Sequence, residues 1–128
     1  MARYNGTVTN NASHYSTYIE VTESNVSIAN NTSLVTVKFH IVRSSWGWQT
    51  SNRYNGSIVI DGTTTSFSYT PNWSAGSSGD VVIATASKTV THNNDGTKSC
   101  NTSASWSTSG TYSCGTASAS GTDRKSVV

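Results

Sequence analysis

Proline and cysteine are nearly missing from this chain, with one Pro and two Cys in 128 residues. Two thiols are too few for a disulfide framework, so a hydrophobic core has to hold the fold. Both fall in what reads as the last hairpin. With its turn near Ser109, Cys100 stands opposite Ser118 and Cys114 opposite Ala104, out of bonding reach, which predicts buried free thiols and agrees with assembly in the cytoplasm. Charge is also scarce, at 11% of residues and a net +2. Four Lys and four Arg are scattered without a basic stripe, which removes the electrostatic basis for nucleic-acid binding. No apolar run approaches the roughly 20 residues that span a membrane. The opening MARYNGTVTNNASHY has neither the charged nor the apolar region of a signal peptide. Leu and Met are rare and Ala-Glu-Lys runs are absent, so nothing here builds long helices.

Ser, Thr, Asn and Gly fill most of the space around the 34% of apolar residues. Low hydrophobicity favours disorder only when net charge is high and β-branched and aromatic residues are few. Here Val, Ile, Thr, Tyr and Trp are plentiful, and these suit a pleated, half-buried surface. The chain reads as all-β. Its length fits one domain and buries about two-thirds of the unfolded surface.

Period-two alternation, broken by Gly, Asn and Asp clusters, marks seven strands. Tyr15, Thr17, Ile19 and Val21 share one face of a first strand over 15–23. In the second, over 33–43, Val35, Val37, Phe39 and Ile41 alternate with Thr36, Lys38 and His40. The third, 53–60, aligns Tyr54, Ile58 and Ile60, and Asp61-Gly62 then supplies a two-residue hairpin turn. The fourth, 63–70, presents Phe67 and Tyr69. A long strand over 80–92 turns at Asn94-Asp95-Gly96 into 97–106, and a last hairpin at STSG brings 110–121 alongside. Seven short antiparallel strands with regular turns predict an immunoglobulin-like β-sandwich rather than a closed barrel, although the Cys…Trp…Cys spacing of antibody domains is absent.

Three segments carry a family resemblance: NNTSLVTVKFHI (30–41), YNGSIVIDGTTTSFSYT (54–70) and SKTVTHNNDGTKS (87–99). With the small-residue ending GTASASGT (115–122), the chain resembles the immunoglobulin-like modules of siphovirus and prophage tail, baseplate and tail-tip proteins from Gram-positive hosts. The resemblance covers about Tyr15 to Thr122. It implies a virion location and other phage structural proteins as partners. Members commonly run on into Leu-Pro and Ile-Pro-Arg, whereas here DRKSVV follows. That hexapeptide is what GATCGGAAGAGCGTCGTG encodes, a common sequencing-adapter stretch whose next triplet is a stop. The expected domain is therefore 1–122, with 123–128 a non-native or disordered tail; the alternative is a short natural ending.

Catalytic signals are thin. His92 and Asp95 lack the further ligands a metal needs, and turn chemistry accounts for both, with the His92 ring bonding loop backbone. Glu20 and Glu23 are too isolated for a glycosidase pair. Neither a G-x-S-x-G elbow nor a phosphate-binding Gly loop occurs, so no enzyme and no cofactor is expected. Asn-x-Ser/Thr sequences, as at Asn5, Asn31, Asn72 and Asn101, arise by chance in a chain this rich in Ser and Thr. Trp106, alternating with Ala104 and Thr102, reads as core. Trp46, Trp48 and Trp73 fall in or beside loops. A pyranose face stacks on such rings while Gln49, Arg53 and Asn72 hydrogen-bond hydroxyls, or else the tryptophans cap the sandwich end. The expected role is a structural or accessory tail module that decorates the particle or supports host adhesion. The alternative is a carbohydrate-binding module for bacterial cell-wall polysaccharide, and a bacterial surface domain is a third.

Overall fold

The computed structural model describes residues 2–76 and 78–126. Eleven strands form: β1 (Ala2–Asn5), β2 (Thr7–Val8), β3 (Tyr15–Ser27), β4 (Thr32–Arg43), β5 (Trp48–Gln49), β6 (Tyr54–Ile60), β7 (Thr63–Tyr69), β8 (Asn72–Trp73), β9 (Gly79–Thr91), β10 (Thr97–Ser107) and β11 (Thr116–Ser126). All pairings are antiparallel. A four-stranded sheet, β1-β3-β4-β9, faces a five-stranded one, β2-β11-β10-β6-β7, and β5-β8 form a two-stranded strap. The core between the two large sheets is made by the alternating positions: Ile19 and Val21, Val35 to Ile41, Ile58 and Ile60, Ala104 and Trp106, Ala117 and Ala119. Phe67 packs against it, partly buried.

The seven predicted strands are β3, β4, β6, β7, β9, β10 and β11, and the count is corrected to eleven. The four additions are short, from two to four residues, too few to display an alternation. The last hairpin is the larger correction. Its connection is not a tight STSG turn but the loop 108–115, in which Gly110 (φ 119°) and Gly115 (φ 69°) bend the chain. Thr108 closes that loop, donating both its N–H and its hydroxyl to the Gly115 carbonyl. Cys100 therefore lies opposite Asp123 instead of Ser118, and Ala104 opposite Ala119. Cys114 sits in the loop. Both thiols are free and buried, as expected, and burial pushes both thiol pKa values up. The strand also continues past Thr122: residues 123–126 pair with Thr97–Cys100, and Asp123 is only 4% exposed. Val127 and Val128 of the segment set apart in the sequence lie outside the described residues.

Turn chemistry explains much of the Asn and Gly content. Asp61 (φ 47°) and Gly62 (φ 82°) both adopt positive φ, the signature of a type I′ turn whose twist matches the flanking strands. Gly96 (φ 85°) fills the same need after Asp95. Asn11, Asn25 and Asn31 also take positive φ, a region Asn tolerates better than other side-chain-bearing residues. Asn31 then donates its amide to the carbonyls of His92 and Asn93, tying the β3–β4 turn to the β9–β10 turn.

The N-terminal segment belongs to both sheets. β1 pairs with β3 while β2, one residue later, pairs with β11. Gly6 makes the crossing, because a Cβ there would lie 1.9 Å from the Ser118 carbonyl oxygen.

Candidate functional site

Antiparallel alternation delivers the starts of β3 and β6 and the ends of β4, β7 and β10 to one end of the sandwich. Tyr15, Tyr54, Tyr69 and Trp106 converge there, and the β5-β8 strap lays Trp48 opposite Trp73 over them. Ring centroids lie 5.6 Å apart for Trp48–Trp73, 5.9 Å for Trp48–Trp106 and 5.9 Å for Tyr69–Trp106. These tilted and edge-to-face contacts suit the quadrupoles of the rings. Trp106 donates its indole N–H to the Tyr54 carbonyl at 3.1 Å, so the one polar atom of a fully buried ring is satisfied.

Of the two roles open to the loop tryptophans, Trp48 and Trp73 take that of capping the sandwich end. Trp48 and Trp73 are 5% and 4% exposed, since their faces are occupied by other rings. Trp46 remains half-buried. It lies against His14, centroids 4.0 Å apart and tilted by 31°, and meets Tyr112 edge-to-face at 5.2 Å. Tyr112 is 50% exposed, and the loop carrying it is pinned by Tyr15, whose hydroxyl donates to the Tyr112 carbonyl, and by Asn11, which donates to the carbonyls of Thr111 and Ser113. Tyr112 carries no signal of its own in the sequence, where 110–121 reads as strand and the structure has a loop to Gly115.

The predicted polar neighbours divide. Gln49 and Asn72 are opposite each other on the strap, both exposed, and Gln49 donates to Ser74. Arg53 turns instead to the outer face of the five-stranded sheet. It donates to Ser68 at 2.5 Å and lines a shallow groove with Asn55, Gly56 and Phe67. Trp46, Gln49 and Asn72 thus share the aromatic end, and Arg53 serves a different surface.

Two further polar clusters stand away from that end. His92, 4% exposed, bonds the Gly96 carbonyl through Nδ1 at 2.8 Å and Ser33 Oγ through Nε2 at 2.8 Å. A carbonyl only accepts, so Nδ1 carries the proton and Nε2 accepts from the Ser33 hydroxyl. The Ser-His contact has the spacing of a hydroxyl beside a base, but Ser33 is only 1% exposed. The pair clamps the β9–β10 turn, which is the loop-backbone bond expected for His92.

The second cluster was missed. Tyr18 and His40 stack at 4.2 Å on the outer face of the four-stranded sheet. Asp80 accepts from the Tyr18 hydroxyl at 2.5 Å and bonds His40 Nδ1 at 2.7 Å, while the Arg3 guanidinium lies 3.7 Å from the centre of the Tyr18 ring. Only the strand register brings these residues together; the sequence shows three separate polar-face positions. Burial raises the Asp80 carboxyl, but hydrogen bonds from Tyr18 and His40 outweigh it and the net direction is down. Burial, then the Asp80 bond, pushes Tyr18 up to about 12. A raised phenol stabilises the fold fully below the unfolded value of about 10 and loses that contribution as pH passes through 12. Stability is therefore expected to fall between pH 10 and 12 in denaturant titrations, and Tyr18→Phe should flatten that limb. Tyr15, also near 12 through burial, leaves a residue of the slope. An unchanged limb in the variant would show that folding does not raise the Tyr18 phenol.

Among the described residues no group of His, Cys, Asp and Glu has the spacing to hold a metal, and no helix is long and apolar enough to cross a membrane. The architecture defines an all-β domain of two facing antiparallel sheets, closed at one end by packed rings. Residues 1–125 match the family described as siphovirus protein of unknown function (DUF859), and the chain belongs to that family. Comparison with curated proteins and with solved structures gives no match.

Proposed function

We propose that this chain is a non-enzymatic structural module of a siphovirus tail, an immunoglobulin-like sandwich that decorates the particle or supports adhesion to the host surface, with other virion proteins as its partners. The observation that carries the reading is the family match over residues 1–125. Strand order supports the immunoglobulin-like part. Taking β3, β4, β6, β7, β9, β10 and β11 as strands A, B, C, C′, E, F and G gives sheets A-B-E and G-F-C-C′, the variable-type pairing without D and C″. Mass spectrometry of purified virions and immunogold labelling test it. The expected result is a stoichiometric component on the tail, and absence from purified particles would remove the reading.

One observation favours a second role, binding of cell-wall polysaccharide from a Gram-positive host. Trp46 and Tyr112 present partly exposed rings at one end, with the polar side chains of Gln49 and Asn72 on the same end. Stacked sugar contacts are individually weak, so binding is expected to become measurable through many copies on a particle. Multimerised domain should pull down with purified walls, and Trp46→Ala and Tyr112→Ala should each weaken it severalfold, whereas the buried Trp48 acts only through stability. No wall binding by the multimer would leave the structural role alone.

A further inference from the structure

Each large sheet has two edges, and three of the four are defended against pairing. β1 is four residues long and carries Arg3, and β2 has two residues. β9 carries Asp80 and Lys88 and is broken by an irregularity where Phe39 pairs with Ala84 but His40 with Val82. Short length, charge and bulges are the devices that keep edges unpaired. The edge strand β7, Thr63-Thr-Thr-Ser-Phe-Ser-Tyr69, has none of them: seven residues, no charge, no proline and a regular register with β6.

Its free backbone groups follow from the turn. A type I′ hairpin closes on a hydrogen-bonded pair, here Ile60 and Thr63. Thr63, Thr65, Phe67 and Tyr69 therefore bond β6, while Thr64, Ser66 and Ser68 point their N–H and C=O groups away from the sheet. We propose that this edge pairs antiparallel with the same edge of a second copy, about a two-fold axis at Ser66. Ser66 then exchanges both bonds with its equivalent, and Thr64 exchanges both with Ser68 of the second copy. Every free donor of the three residues meets an acceptor. The side chains of Thr64, Ser66 and Ser68 brought opposite each other are hydroxyls, and the charge beside them, Arg53, is held on Ser68 of its own chain. Such pairing is isologous and closes on itself, joining two five-stranded sheets into one of ten. The contact is small for a stable dimer, so it forms at high local concentration, as among copies in an assembled particle.

The test is sedimentation velocity of the full chain from micromolar to about 1 mM, a range that reaches millimolar dissociation constants, with amide hydrogen exchange at both ends of the range. Wild type should shift towards a dimer with concentration. Exchange should slow several-fold at Thr64, Ser66 and Ser68, and not at Thr63 or Thr65. Ser66→Lys sets two like charges face to face at the axis and should abolish the shift, as should Ser66→Pro, which removes an outward N–H. Thr85→Lys, the same charge on the other sheet, should leave it intact, and circular dichroism confirms that each variant is folded. A chain that stays monomeric at about 1 mM overturns the proposal. So does a dimer that survives Ser66→Lys, or edge protection that appears only when another virion protein is added.

Discussion

Trp106→Ala is expected to bring the domain to the edge of unfolding. The ring is fully buried, touches Trp48, Tyr54, Tyr69 and Trp73, and donates its N–H to a backbone carbonyl. Large aromatic truncations of this kind cost about 3–5 kcal/mol, and the lost bond to the Tyr54 carbonyl, which keeps its ladder partner Tyr69, adds about 1 kcal/mol. That is a large share of the roughly 5–15 kcal/mol by which folded domains are usually stable. Trp106→Phe keeps the apolar packing and should lose much less. Urea titration followed by circular dichroism measures both, since three other tryptophans confuse fluorescence. A loss under about 1 kcal/mol in the alanine variant, far below the usual truncation cost, would mean that the aromatic end holds itself together without its centre.

Phe39→Ala should be nearly as damaging, at about 3–5 kcal/mol. Phe39 has no exposed surface and meets Phe67 edge-to-face across the sandwich, centroids 6.1 Å apart at 85°. Phe67→Ala should cost less because that ring is only partly covered, and the pair should couple by about 0.5–1.5 kcal/mol in a double-mutant cycle. An unchanged melting temperature for Phe39→Ala would contradict the inward placement of this face of β4.

The core was legible because period two is a strong signal when one face is buried. Ile19, Val21, Val35, Val37, Phe39, Ile41, Ile58, Ile60 and Trp106 follow the predicted alternation and are all buried. The two-residue turn at Asp61-Gly62 was legible because few residue pairs accept two positive φ angles. The final hairpin was not. Between Ser107 and Thr116 nearly every residue is small or polar, so alternation carries no information, and the closing bonds of Thr108 act through backbone. The strap was hidden for a related reason: two-residue strands have no period, and loop position left open whether Trp48 and Trp73 face solvent or cap the sandwich. What buries them is the convergence of strand ends, a three-dimensional fact. Tyr18, His40 and Asp80 likewise stand 62 and 40 residues apart along the chain, and no local motif links them.

The N-terminal crossing at Gly6 has a kinetic meaning. β2 has to wait for β11, and the bond from the Tyr4 hydroxyl to the Thr122 carbonyl joins residues 118 apart. Closing a loop of that length in an unstructured chain costs about 4 kcal/mol of chain entropy, a cost that falls only as the intervening strands pair. Folding should therefore be slow, in the millisecond-to-second range of non-local β topologies, with the first residues of the chain docking last. Until then the outer backbones of β3 and β11 stay open to any neighbouring chain. A newly made copy is most prone to mispairing in that interval, and refolding yield should fall with protein concentration much faster than equilibrium stability suggests.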